Sequence, residues 1–322
     1  MILPTFTDIL QARHTIAPHL HSTPLYSYQG LSDQVGTEVW VKHENHLPIR
    51  AFKVRGGVNF MAQIDPRTKA RGVITPSTGN HGQSVAYAGR LFNVRVTVAM
   101  PNGANTSKAQ AIQNLGAEVK FIGKDFDDCR AHLETINERE GMHYLSSGNE
   151  PLLIAGVGTC TLEIFETLPD VDIIIVPIGG GSAAAGACLV AKAINPSVKV
   201  IGVQAQAAPS AYFSWKENEP VEAKMGTFAE GLATRTSFEM PQAILQSYLD
   251  DFILVTESEL KSAMILAIEQ THNLVEGAGA AALAGAIKIH RRLRGKKVVV
   301  LLSGGNITLS QLKVLLNSDT GA

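Results

Sequence analysis

Four short segments of the chain carry residue types that could act together chemically. Lys53 stands in Arg50-Ala51-Phe52-Lys53-Val54-Arg55-Gly56-Gly57, and three loops rich in glycine or asparagine follow. They are Ser77-Thr78-Gly79-Asn80-His81-Gly82, Ile178-Gly179-Gly180-Gly181-Ser182 and Leu302-Ser303-Gly304-Gly305-Asn306. Each comes after a run of β-branched residues that reads as a strand. In the glycine loop, Ile173 to Val176 is the strand, Gly179 to Gly181 permit a tight turn, and the alanine-rich stretch from Ser182 to Asn195 reads as a helix. Free amides at a helix start, added to the helix dipole, form a phosphate site that needs no lysine. The spaced glycines of a dinucleotide fingerprint and the Gly-Lys-Ser/Thr of a nucleotide loop are both absent. The plainer reading, that three glycines only let a strand pack closely on a helix, stays open for this motif alone.

A lysine forms an imine with an aldehyde only as the free amine, so its pKa must be lowered by burial or by nearby cations. Arg50 and Arg55 are such neighbours in sequence. Taken singly, Lys53 reads as a surface lysine, and Asn80, His81 and Ser303 as turn or cap residues. Taken together, a lysine, an anion loop and two polar loops suggest a cofactor that carries a carbonyl and a phosphate.

Strand-like and helix-like runs alternate along the chain, the pattern of an α/β protein with a mainly parallel sheet. Gly72–Thr75, Val94–Met100, Ala117–Ile122 and Met142–Leu145 read as strands, with helices over Gln83–Phe92, Ser107–Leu115 and Asp127–Glu140. A second series starts with the helical Leu152–Leu168 and continues through strands Asp172–Pro177, Lys199–Gln204, Phe252–Val255 and Lys297–Leu302. Trp215–Thr236 lacks a sustained period and reads as a long loop or lid, and Leu309–Leu316 as a final helix.

Composition bounds the function classes. With 322 residues, 45% apolar, 18% charged and a net charge of -1, the chain suits a soluble two-lobed enzyme with no positive field for nucleic acid or an anionic membrane. Cys129, Cys160 and Cys188 are widely spaced, fit no metal pattern and read as buried small residues. The first twenty residues lack the form of a signal peptide, and no apolar run reaches membrane-spanning length, so a cytoplasmic location is expected.

In order and spacing the segments resemble the fold-type II pyridoxal-phosphate enzymes, in the branch of threonine and serine dehydratases and serine racemase. That family carries Lys-x-Glu-Asn, Ser-Phe-Lys-x-Arg-Gly, Ser-x-Gly-Asn-His, a glycine tetrad and Ser-Gly-Gly-Asn. This chain has Lys42-His43-Glu44-Asn45, Ala51-Phe52-Lys53-Val54-Arg55-Gly56, Ser77-Thr78-Gly79-Asn80-His81, Gly179-Gly180-Gly181-Ser182 and Ser303-Gly304-Gly305-Asn306. The resemblance runs from about Thr23 to Asn306. It implies two open twisted parallel sheets of the tryptophan synthase β type. A large cofactor-binding domain of residues 1–70 and 147–322 would flank a small substrate-loop domain of residues 71–146.

The resemblance also implies roles. Lys53 would carry pyridoxal 5'-phosphate through an imine and act as the catalytic base. Phe52 would pack on the pyridine ring, Asn80 would bond its 3-hydroxyl, Ser303 would face its nitrogen, and Gly179, Gly180, Gly181, Ser182 and Ala183 would surround the phosphate. Ser77, Thr78, Gly79, Asn80 and His81 would hold the substrate carboxylate. The implied activity is α,β-elimination on an L-3-hydroxy amino acid of the threonine or serine type, giving a 2-oxo acid and ammonia, in a homodimer. Amino-acid racemisation, β-replacement and a non-catalytic cofactor-binding role are the alternatives.

Departures from the pattern bear on the substrate. Arg50 and Ala51 stand in place of glycine and serine, so Arg50 could pair with a second carboxylate, as in 3-hydroxyaspartate, or point to solvent or another subunit. A 3-phenylserine substrate is a further option. Thr78 replaces the serine that acts on the opposite substrate face in serine racemases, and Ser182 replaces the fourth glycine. Gln204 and Ser210 replace the carboxylates of metal-responsive relatives, so no metal site is expected. Glu276 matches a family acidic residue near the cofactor, or else serves the start of the helix Ala280–His290.

Overall fold

Continuous β-branched runs such as Ile173-Ile174-Ile175-Val176 and Val298-Val299-Val300 have no polar face to give to water, so they demand cover on both sides. They receive it in the computed structural model, which describes residues 1–124, 128–133 and 141–317. Ten strands form two sheets among these residues. They are β1 (Leu25–Ser27), β2 (Glu38–His43), β3 (Val73–Pro76), β4 (Val96–Met100), β5 (Glu118–Phe121), β6 (His143–Tyr144), β7 (Ile173–Pro177), β8 (Lys199–Ala205), β9 (Asp251–Val255) and β10 (Lys297–Leu302). The larger sheet has the order β1-β2-β10-β7-β8-β9 and the smaller β5-β4-β3-β6. All pairings are parallel except β1 with β2.

Alternate residues of the central strands face opposite cores. Ile174, Val176, Val299 and Leu301 pack with Ala184 and Val190 on one side of the sheet. Ile173, Ile175, Val298 and Val300 pack with Ala281 and Leu283 on the other. A third core lies between β3, β4 and the helices Lys53–Gln63 and Asn80–Phe92, and the three cysteines are buried. The expected helix Asp127–Glu140 falls outside the described residues except for 128–133, which are helical.

The strand order brings the four chemical segments to one place. The last strand, β10, lies between β2 and β7, with Leu302 opposite His43. The loop before Lys53, the Ser303 loop and the Gly179 loop therefore leave neighbouring strands at their carboxyl ends, where open α/β sheets form ligand crevices. The Ser77 loop leaves β3 of the smaller sheet. The two units are tied at this point, because Ser84 in the helix Asn80–Phe92 donates to the Lys53 carbonyl at 2.6 Å.

Beneath Lys53 lies a buried ion cluster. Arg55, 0% exposed, donates to both oxygens of Glu44 at 2.6 and 2.8 Å and to both oxygens of Glu163 at 2.7 and 2.8 Å. Lys42 donates to Glu163 at 2.6 Å and to the Thr23 carbonyl at 2.7 Å, and Thr23 donates to Glu44 at 2.6 Å. Two cations and two carboxylates thus balance, joining β2, the N-terminal segment and the helices Lys53–Gln63 and Pro151–Thr167. The two carboxylates raise the pKa of Arg55 against the opposing effect of burial. Burial also acts against ionised Glu163, but Arg55 and Lys42 together hold its pKa below the usual value. Replacing Arg55 by Met leaves buried Glu44 without a cation and Glu163 with Lys42 as its one buried cation, and should cost about 3–5 kcal/mol. Denaturant unfolding checks this, and a loss below about 1 kcal/mol would mean that the cluster relaxes into water.

One residue of the Lys53 loop is strained. Arg50 has φ 54°, in the left-handed region, and is exposed. Its amide donates to the Leu47 carbonyl at 2.7 Å and its carbonyl accepts from Gly305 at 2.9 Å, so the conformation is held from both sides. Left-handed backbone costs a side-chain-bearing residue about 1–2 kcal/mol, partly offset by the unfolded-state freedom that glycine would regain. Arg50→Gly should therefore stabilise the fold by about 0.5–1 kcal/mol, seen as a higher denaturant midpoint at unchanged slope. A lower midpoint would show that the guanidinium makes a contact worth more than the strain.

Candidate active site

Lys53 is the first residue of its helix, and its amine donates to the Ser182 hydroxyl at 2.9 Å. The amine also lies 5.2 Å from the Phe52 ring centroid. Burial lowers the pKa of Lys53 from 10.5 to about 8. The neighbouring cations expected from sequence do not account for this: Arg55 is neutralised in the ion cluster and Arg50 is exposed. Desolvation of the amine supplies the shift.

The glycine loop forms the wall facing that amine. A Cβ on Gly179 would fall 2.1 Å from the Gly231 carbonyl oxygen, and one on Gly180 would fall 3.0 Å from the Phe238 ring. Gly181 has φ 88° and leads into the helix Ser182–Ile194. Close approach and left-handed backbone thus explain the run, and the first amides of the helix that follows have no acceptor within it, which suits an anion. A cavity of about 160 Å³ is lined by Phe52, Lys53, Asn80, the residues Gly179 to Ala183, and Ser303. An amine of lowered pKa opposite a glycine cradle that cannot accept a side chain fits an aldehyde-bearing phosphate ester, which is the chemistry of pyridoxal phosphate.

Ser77, Thr78, Gly79, Asn80 and His81 line the same cavity. The Ser77 hydroxyl accepts from the amides of Gly79 at 3.1 Å and Gly82 at 2.8 Å, shaping the turn into the helix Asn80–Phe92. The first amides of that helix have no acceptor within the helix, which suits a carboxylate. The Asn80 side chain is pinned at both ends, donating to Glu276 at 2.6 Å and accepting from Asn306 at 2.7 Å. His81 is bonded at Nε2 to the Thr75 hydroxyl at 2.8 Å, and Thr75 gives its own proton to the Leu145 carbonyl. The ring therefore carries its proton on Nε2. Burial, with Lys53 nearby, lowers its pKa to about 3 and keeps it neutral.

Glu276 stands at the N-cap of the helix Gly277–Lys288, as the reading of a carboxylate at a helix start has it, but its side chain makes no cap bond; it accepts from Asn80 and lines the cavity. Burial raises its pKa against the pull of Lys108. The Ser303 hydroxyl makes only a long bond, 3.4 Å, to the Ala278 carbonyl, which leaves it able to serve a ligand. Arg50 does not line the cavity, which removes the geometric basis for pairing it with a second substrate carboxylate. The Gln204 side-chain oxygen accepts from the Tyr212 amide, and the Ser210 hydroxyl donates to the Thr234 carbonyl.

Sequence reasoning missed Lys108, Glu230 and Phe238. Lys108, from the helix Thr106–Asn114, meets Glu230 at 2.5 Å, and this pair stands between the cavity and a neighbouring one of about 500 Å³. Glu230 comes from the stretch Trp215–Thr236 read as a loop or lid, where no hydrophobic period marks it, and Phe238 lies two residues beyond that stretch. Only the pairing of glycine with aromatic residues in space gives Phe238 away, since its ring fills the room beside Gly148 and Gly180.

Comparison with known proteins points the same way as this geometry. The family described as pyridoxal-phosphate dependent enzyme matches residues 16–304. The chain is 37% identical over 315 residues to an L-threonine ammonia-lyase of Thermotoga maritima, covering 97% of this chain and 78% of that protein. It is 35% identical over 308 residues to a catabolic L-threonine dehydratase of Escherichia coli, covering 95% and 94%. A crystal structure of serine racemase from Dictyostelium discoideum superposes with a TM-score of 0.88 at 32% identity, covering 95% of this chain and 99% of that one. The chain belongs to the pyridoxal-phosphate dependent enzymes, in their threonine and serine dehydratase branch.

Proposed function

We propose that this enzyme is an ammonia-lyase that eliminates water from an L-3-hydroxy amino acid of the threonine or serine type and releases a 2-oxo acid and ammonia. The observation that carries the reading is the Lys53 amine, depressed in pKa and 2.9 Å from the Ser182 hydroxyl at the end of the glycine loop, in the wall of the cavity. The printed activities of the relatives, L-threonine ammonia-lyase and L-threonine dehydratase, support the substrate class.

When bound, pyridoxal phosphate supplies an aldehyde carbon that captures amines and a conjugated ring that takes up the electron pair left at a substrate Cα. The chain's own residues do the rest. In this reading, amides of Gly179 to Ala183 and the dipole of the helix Ser182–Ile194 hold the phosphate. The turn Ser77 to His81 fixes the substrate carboxylate and so presents Cα–H to Lys53. A lysine with a pKa of about 8 offers a useful fraction of free amine near neutral pH and can remove that proton. Phe52 would pack on the ring, and Asn80, its amide set by Glu276 and Asn306, would offer a fixed donor to the 3-oxygen. Ser303, which lines the cavity, would meet the ring nitrogen with a hydroxyl too weakly acidic to protonate it, so the ring would supply a weaker electron sink suited to β-elimination. Residues 71–146 form the smaller of two lobes in this proposal, with the cavity between them and the larger one.

With Arg50 exposed, a hydroxy amino acid without a second carboxylate is favoured over 3-hydroxyaspartate. Racemisation is kept as a second reading, because Thr78 brings a hydroxyl to the cavity wall and the fold matches a serine racemase. Purified enzyme supplied with L- and D-serine, L-threonine, 3-hydroxyaspartate and 3-phenylserine should form oxo acid from L-threonine or L-serine. Lys53→Ala should reduce that rate by at least about 10³-fold. Enantiomer formation without oxo acid would replace the lyase by the racemase.

A further inference from the structure

Ser182 interrupts a loop that is otherwise glycine, and its hydroxyl is the one side-chain hydrogen-bond partner of the Lys53 amine among the described residues, at 2.9 Å across 129 positions of sequence. The hydroxyl is not needed for the fold around it. The helix Ser182–Ile194 is entered through Gly181 with no side-chain cap, and the backbone amide at position 182 would be present with any residue. Ser182 is 3% exposed, so water does not compete for the contact. A hydroxyl both accepts and donates, so it can bind an ammonium through its oxygen and a neutral amine through its proton.

We propose that Ser182 is a positioning residue for Lys53, holding the amine at the cavity wall whenever it is not joined to the cofactor and serving it in either protonation state. The inference rests on the proposed role of Lys53 and adds a function to the fourth position of the loop beyond contact with a phosphate. When substrate displaces the lysine, the freed side chain has four rotatable bonds. Ser182 confines it to the region from which it can reach Cα and can later rejoin the cofactor.

The other titratable groups of the cavity are already committed. His81, on the helix Asn80–Phe92, is neutral and bonded to Thr75; Lys108 is paired with Glu230; Glu276 is bonded to Asn80. Arg55, on the helix of Lys53 itself, is enclosed by Glu44 and Glu163. The aldehydes' own ionisations are common to the parent and its variants, so a difference in midpoint between them reports Lys53 and what bonds it.

The test uses the full chain freed of cofactor and follows the visible absorption band that grows as an aldehyde attaches. Pyridoxal phosphate and pyridoxal are compared, for the parent, Ser182→Ala, Ser182→Gly and Lys53→Ala, from roughly pH 6 to 10, a range set to bracket an ordinary and a lowered lysine pKa. The parent rate should rise with pH around 8, as the ammonium gives up its proton. Both Ser182 variants should lower the plateau rate at high pH by about three- to tenfold, the effect of one hydrogen bond. They should do so with pyridoxal as well as with pyridoxal phosphate, and should move the midpoint to lower pH, because an acceptor that favours the ammonium is gone. Slower attachment of pyridoxal phosphate alone, with pyridoxal unchanged in plateau and midpoint, would overturn the proposal and leave Ser182 as a phosphate ligand. If Lys53→Ala attaches both aldehydes as the parent does, the assignment of Lys53 itself fails, and the role of Ser182 with it.

Discussion

Everything at the site depends on a charge cluster that never touches the cavity. Arg55 lies two residues beyond Lys53, and its guanidinium is gripped by Glu44 and Glu163 from two different elements. Fixing Arg55 fixes the first turn of the helix Lys53–Gln63, and that turn aims the lysine. Burying four charges is expensive, and it is tolerated here because the carboxylate oxygens are bonded and the charges cancel. The Lys-x-Glu and Lys-x-Arg pieces of the sequence pattern are thus one structure: Lys42, Glu44 and Arg55 build the base on which Lys53 stands.

The same cluster decides the electrostatics of the amine. An unpaired guanidinium so close would push protons off Lys53 by repulsion. Paired with two carboxylates, it leaves burial as the cause of the lowered pKa. The polar residues nearer the cavity follow a similar economy of commitment, in which Glu276, Asn80 and Asn306 bond one another and His81 bonds Thr75. Side chains that are already satisfied keep their orientation when a ligand arrives. Ser303 and Ser182 are the less committed ones, and both face the space a cofactor would fill.

Much of the fold was legible because buried parallel strands are written as unbroken β-branched runs. Ile173 to Val176 and Val298 to Val300 can be neither surface nor alternating strands. The glycine loop was legible because a strand, three glycines and an alanine-rich helix have few uses. What could not be read were relations across the chain. Glu163 is 108 residues from Arg55, and Lys108 is 122 residues from Glu230, so neither pairing leaves a local mark. Arg50 was open to two readings, and the structure has the one that places it at the surface. Its nearness in sequence suggested a cation acting on Lys53 or on substrate, but a φ of 54° turns the chain there and leaves the residue exposed.

The central claim is that the buried lysine at the head of its helix is the one that bears the cofactor. Reducing the native holoenzyme with borohydride and mapping the peptides by mass tests it directly. A pyridoxyl phosphate increment is expected on the peptide containing Lys53. An increment on another lysine, with Lys53 unmodified, would contradict it.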